Sequence, residues 1–123
     1  MLRIRNVTRN TVLAVAADVA DTSRKRRTGL LKHKSLPAGE GLWLAPCEGI
    51  HTFRMKFAID VLFLDRSRKV LKIRHSMGRA RISLCLRAHS VLELPAGTAK
   101  ATATVEGDQL EFERVTASSS GAL

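Results

Sequence analysis

The segment Phe57-Ala58-Ile59-Asp60-Val61-Leu62-Phe63-Leu64-Asp65 constrains the fold most. In an extended chain, successive side chains point to opposite sides. Phe57, Ile59, Val61 and Phe63 then form one face, while Ala58, Leu62 and Leu64 form the other with Asp60 among them. Both faces are apolar, so this strand must be covered on both sides and reads as the central strand of a sheet. A carboxylate there must be paired or neutralised. Arg26, Arg54 and His51 are candidate partners for Asp60, with backbone amides as the alternative.

Shorter strands surround it. Leu2, Ile4 and Val7 alternate with Arg3 and Arg5, and Thr11 to Ala17 is β-branched and apolar. Thr8-Arg9-Asn10 suits a hairpin turn between them. Leu42-Trp43-Leu44 begins a run that stops at Pro46. Asp65-Arg66-Ser67-Arg68 reads as a turn into Lys69 to Arg74, with Leu71 and Ile73 inward. Ile82 to Leu86, Ser90 to Leu94 and Gln109 to Val115 are further short strands, the last after a Gly107-Asp108 turn and the one before it stopped by Pro95. Ala96-Gly97 opens a connection of Ala and Thr.

One helix is predicted near residues 22–32, capped by Asp21, Thr22 or Ser23 and anchored by Leu30 and Leu31. Consecutive helical residues lie about 100° apart, so Arg24-Lys25-Arg26-Arg27 encircles the helix, and at least one of the four must turn inward. Frequent turns, short strands and a single helix predict a mainly β fold bordering on α+β. Its form is an antiparallel sandwich or a partly closed barrel. Residues 1–116 read as one domain and 117–123 as a disordered tail, being small and polar.

The net charge of +10 is unevenly placed: only Lys100 and Arg114 of the 21 Lys/Arg lie beyond residue 88, against five of the 11 Asp/Glu. This asymmetry favours an anionic partner without naming one. Nucleic acid is one such partner, through its phosphate backbone. With one Trp, four Phe and no Tyr, the aromatic platforms that stack bases are missing. The apolar run Val12 to Ala17 is shorter than the roughly 7–15 residues of a leader's core. No stretch approaches the roughly 18 apolar residues of a membrane helix. The expectation is a soluble, cytoplasmic protein with Cys47 and Cys85 as free thiols.

The densest chemistry lies in Pro46-Cys47-Glu48-Gly49-Ile50-His51-Thr52-Phe53-Arg54-Met55-Lys56. Cys47, His51 and Met55 carry the donor types that soft metals prefer, but a closed structural zinc site needs four ligands. Cys47 with His51 as base is a nucleophile pair in composition, without a known protease signature. No cofactor is called for. If the segment is extended, His51, Phe53 and Met55 share a face and, with Trp43, define an apolar surface near Arg26 and Asp60. That surface is a binding site or ordinary core. Glu93 raises a separate question. Opposite Asp60 it would form a carboxylate pair for acid–base work; strand alternation favours it on the outer face, away from Leu92 and Leu94.

The chain resembles an uncharacterised conserved prokaryotic family, domain of unknown function family 192. The resemblance is carried by Arg26 with Gly29-Leu30-Leu31, Gly39-Glu40-Gly41-Leu42-Trp43-Leu44, the block Ile50 to Asp65, Val91-Leu92-Glu93-Leu94-Pro95-Ala96-Gly97, and Gly107-Asp108. It spans about Leu13 to Phe112. Leu31 stands where Met is common, and His51-Thr52-Phe53 where other members carry Phe-Trp before the Met, which argues against His51 as an obligatory catalyst. The resemblance implies a compact, mainly β fold with one helix, and supplies no activity. Many members carry a secretory leader.

The leading reading is a small binding or interaction module, for a small molecule or a protein, with its site near residues 43–60. Arg26, Trp43, His51, Phe53, Met55, Asp60 and Glu93 are the candidate binding residues. A basic protein bound to phosphate backbones is one alternative. An enzyme or soft-metal site using Cys47, His51 and Asp60 is the other, and binding is favoured over catalysis. An enzyme should show a concave site on which Asp60, His51 or Glu93 converge. Phosphate-backbone binding requires most arginines on one face.

Overall fold

The computed structural model describes residues 1–30, 33–53 and 55–115. The predicted tail and Leu31 lie outside them, as does Arg54. Along the described chain run β1 (Leu2–Asn6), β2 (Thr11–Ala20), α1 (Ser23–Thr28), β3 (Glu40–Leu44), β4 (Gly49–His51) and β5 (Ile59–Leu64). Then come β6 (Val70–Met77), β7 (Ile82–Leu84), β8 (Ser90–Pro95), α2 (Thr98–Ala101) and β9 (Leu110–Arg114). Seven strands form one sheet in the order β6-β5-β8-β3-β2-β1-β9, and β4 pairs with β7 apart from it.

The sheet curls into a half-barrel, the second of the two predicted forms. Its outermost strands approach each other at one end. Lys69 bridges Gln109, Val70 N–H donates to the Asp108 carbonyl at 2.9 Å, and Leu110 N–H donates to that of Arg68 at 3.0 Å. The Asp108 side chain holds this closure from inside. It accepts from Asn6 Nδ2 at 2.9 Å, Arg9 Nε at 3.0 Å and Val105 N at 3.0 Å. Burial pushes the Asp108 carboxyl up, but these donors outweigh it and hold the group below its ordinary value.

One pairing departs from the antiparallel expectation: β2 and β3 run parallel, from Ala16 opposite Glu40 to Ala20 opposite Leu44. Parallel neighbours need a crossover of a dozen or more residues, and the segment from Asp21 to Gly39, carrying α1, provides it. The same pairing carries β2 past Asp18 to Ala20, beyond the predicted end at Ala17. β6 also departs in detail. A register shift opposite Phe63 and Leu64 lets Val70 enter the core, where Leu71 was expected.

The helix forms where predicted but is shorter. Thr22 Oγ1 accepts from Lys25 N at 3.1 Å as its N-cap. Gly29, at φ +49°, ends it in a conformation that L side chains rarely adopt. Of the four basic residues only Arg26 is half-buried; Arg24, Lys25 and Arg27 are exposed. The second helix, α2, was read as a plain connection. At four residues it has no periodicity to detect, and its N-cap residue, Gly97, has no side chain to cap it.

Two cores result. The curl encloses Ile4, Leu13, Leu62, Leu64, Leu92, Leu94 and Leu110 with their neighbours. On the outer face, Leu30, Leu42, Leu44, Met55, Ile59, Val61, Phe63 and Val91 form a second cluster, roofed by the α1 segment and the loops around β4. All six residues of β5 are buried, as its two-sided pattern requires. Each fully buried aliphatic or aromatic side chain contributes roughly 1.5–3 kcal/mol. Asp60 is fully buried on the inner side. Its Oδ1 accepts from Ser76 N and its Oδ2 from Ala99 N, both at 2.8 Å. It therefore caps α2 from a distance and ties that helix to β5 and β6.

Candidate functional site

Strand parity decides which side chains meet. On β8, Leu92 and Leu94 join the inner core, and Val91 joins the outer cluster. Glu93 shares the parity of Val91, so it points to the outer side. Its cross-strand neighbours, Leu42 on β3 and Val61 on β5, belong to the outer cluster too. The outer side is roofed, so Glu93 is only 5% exposed. It does point away from Leu92 and Leu94 as expected, but it is buried there instead of solvated. Asp60 faces the opposite side of the sheet, so the two carboxylates form no pair.

Glu93 lies at the floor of a pocket of about 580 Å³. One wall is α1 and the turn after it, with Ser23, Arg26, Arg27, Thr28, Gly29 and Leu30. The other comprises Leu44, Pro46 and Cys47 from the end of β3, Gly49, Ile50 and His51 from β4, and Met55. Gly29 sits directly over the carboxylate: a Cβ on it would lie 4.0 Å from Glu93 Oε1. Gly41 lets β3 close on β8, since a Cβ there would come within 3.0 Å of the Glu93 carbonyl and the Leu94 side chain.

Among the described residues, no donor hydrogen-bonds the Glu93 side chain and no cation pairs with it; the ion pairs found are Arg3–Glu113, Arg5–Glu111 and Arg9–Asp108. Burial pushes the Glu93 carboxyl up to about 7. Arg26 lines the same pocket but is turned to neutral partners, donating to the Ala45 carbonyl at 3.3 Å and to Ser23 Oγ at 3.4 Å. Burial also pushes the Cys47 thiol up. A backbone hydrogen bond at Gly49 and the charge of Arg26 oppose this, while Glu93 and Glu48 reinforce it. The Cys47 Sγ donates to the Gly49 carbonyl at 3.1 Å. A thiol held protonated is a poor nucleophile.

The predicted site residues divide. Arg26, His51, Met55 and Glu93 converge on the pocket. Trp43 does not: it lies one residue out of phase with Leu42 and Leu44 and packs on the inner core. There it meets Phe112 edge-on, 5.0 Å between ring centroids, beneath the Arg68 guanidinium. Asp60 is on that side as well. Phe53 is 44% exposed and stacks on His51 at 5.3 Å, beside the pocket instead of in it. The extended stripe is broken because β4 ends at His51, and Met55 N–H donates to the Thr52 carbonyl in a turn. The apolar surface expected from Trp43 to Met55 is thus split three ways. Among the described residues, no three His, Cys, Asp or Glu side chains cluster as metal ligands.

Thr28 and Gly29 also line the pocket, outside the candidate residues, while Cys47 lines it as a protonated thiol. The adjacency of Arg26 to Gly29-Leu30 was the available signal, since a glycine closing a helix beside an inward arginine marks a place where backbone comes close to something.

The fold has solved relatives. A protein of unknown function from Novosphingobium aromaticivorans superposes with a TM-score of 0.76 at 19% identity, over 89% of this chain and 82% of that one. A protein from Sinorhizobium meliloti, described as a "putative transcription regulator", superposes with a TM-score of 0.79 at 20% identity, over 90% of this chain and 91% of that one. At such identities the likeness carries the fold alone. Among curated proteins none matches the chain. The family model of DUF192, described as Uncharacterized ACR, matches residues 4–112. The chain belongs to the DUF192 family.

Proposed function

We propose that this protein is a binding module for a small molecule, held in the pocket between α1 and β8 with Glu93 as its recognition group. The observation that carries the reading is Glu93 itself. A buried carboxylate that finds no donor among the described residues is costly to keep ionised. This one sits where a ligand of pocket size would meet it, and volumes of about 300–1,000 Å³ are usual for such sites. The arginines support a small ligand over a phosphate backbone. The described arginines are spread along the chain, on β1, α1, β6 and β9 and in the connections around them, and Arg3, Arg5 and Arg9 are already paired with carboxylates. The regulator description of the Sinorhizobium protein would favour nucleic acid, but it rests on fold likeness alone.

A compound library scored by thermal shift tests this reading. Ligands should stabilise the native chain and lose their effect in Thr28→Trp, which fills the pocket wall. Hits that bind the filled variant equally well would place the site elsewhere. A cytoplasmic setting belongs to the same reading, supported by two thiols that are both free. Titration of the denatured, unreduced protein should find both.

The raised carboxyl favours a second reading, acid–base catalysis, because a group titrating near neutral pH suits proton transfer. Turnover of a bound ligand that Glu93→Gln abolishes would establish it; ligand recovered unchanged would leave binding alone.

A further inference from the structure

The pocket sets a carboxyl and a guanidinium apart, neither in an ion pair among the described residues, and together they define a ligand. Glu93 lies at the floor, 5% exposed, with no donor among the described residues. Arg26 lines the wall, half-buried, and its hydrogen bonds go to a carbonyl and a hydroxyl through long contacts of 3.3 and 3.4 Å. No carboxylate among the described residues pairs with it. Arg27 adds a second positive charge to the same wall. Leu30, Leu44, Ile50 and Met55 supply apolar surface around them.

Resting on the pocket reading above, we propose that the ligand is a small zwitterion of the amino-acid type with an apolar body. Its ammonium group meets Glu93, its carboxylate meets Arg26, and its side chain lies on the apolar wall. The protein leaves the two groups apart instead of joining them in an ion pair, so each keeps its capacity for a ligand. Charge-assisted hydrogen bonds to an ammonium replace the missing donors at Glu93. A guanidinium is suited to bidentate capture of a carboxylate. Because a buried carboxyl without a partner favours its neutral form, ammonium binding draws the proton off Glu93.

Calorimetry on the intact chain with two matched probe sets tests this. The first set is leucine, 3-methylbutylamine and 4-methylpentanoate; the second is methionine with its own amine and carboxylate halves. The amino acid should bind at least about tenfold tighter than either half, as expected when each charged hydrogen bond contributes separately. Glu93→Gln should weaken the amino acid and the amine by about tenfold or more and spare the carboxylate. Arg26→Gln should weaken the amino acid and the carboxylate and spare the amine. In wild-type protein near neutral pH, repetition in buffers of different ionisation enthalpy should show proton release on binding the amino acid.

Equal affinity for 4-methylpentanoate and leucine, or binding without proton release, would overturn the proposal. Failure of both amino acids, while neutral compounds bind the wild type and not Thr28→Trp, would overturn the ligand class and leave the pocket reading standing. Absence of any binder sensitive to Thr28→Trp would bring down both.

Discussion

Asp60 and Glu93 occupy neighbouring strands of one sheet, each in a run of apolar residues and each almost wholly buried. On the inner face, Asp60 accepts backbone amides from Ser76 and Ala99, one for each oxygen. On the outer face, Glu93 accepts nothing from the described residues and opens onto a pocket. The inner carboxylate is used up by the fold, and it defines a helix too short to stand alone. The outer one is held in place by the fold and finds no donor among the described residues. Burial by itself therefore does not mark a functional acid; the supply of donors does.

The comparison breaks most sharply at Asp60. Asp60→Ala leaves the buried Ala99 N–H and the part-buried Ser76 N–H without their acceptor and should cost about 2–4 kcal/mol in denaturant unfolding. A loss below about half a kcal/mol, the size of an ordinary surface change, would show that the amides find other partners.

Glu93 should behave in the opposite sense. Its carboxyl, raised from 4.5 to about 7 by burial, holds its proton more tightly folded than unfolded. Stability should therefore fall as pH rises through that interval and level off above it. Glu93→Gln should remove this dependence. The variant should gain about 2–3 kcal/mol over wild type at pH 8 and little at pH 4. A variant less stable than wild type at pH 8 would mean that the ionised carboxylate has partners in the fold.

The smallest effect is expected at Phe53. Exposed and stacked on His51, it should lose less than about 1 kcal/mol on replacement by Ala, against roughly 3–5 kcal/mol for a core aromatic such as Phe63. Thermal unfolding of Phe53→Ala and Phe63→Ala separates the two. A loss at Phe53 as large as that at Phe63 would restore the stripe to the core.

Much of the fold was legible because it follows from alternation. The two-sided strand read over Phe57 to Asp65 and formed over Ile59 to Leu64, the first hairpin and the capped helix after Asp21 are local patterns. The inward turn of one residue in Arg24-Lys25-Arg26-Arg27 was legible as a necessity, though not which one. What stayed hidden depends on distant partners. The parallel pairing of β2 with β3 needs the crossover in place, and α2 exists through a carboxylate on β5. The site was half legible for the same reason. Parity on β8 sets Glu93 against Leu92 and Leu94, but whether the outer side is open or roofed depends on α1 and β4. Trp43 and Asp60 were misplaced because compositional density along the chain was read as proximity, and a sheet sends neighbouring residues to opposite faces.

The central claim is that Glu93 is buried, protonatable near neutral pH and without a donor among the described residues. A carbon-13 NMR titration of the Glu93 side-chain carboxyl in the ligand-free protein, assigned by comparison with Glu93→Gln, measures this directly. The account predicts a midpoint of about 7, moving to lower pH when leucine or methionine is added. A midpoint in the ordinary glutamate range near 4.3 would mean that the carboxylate is solvated or paired, and would contradict it.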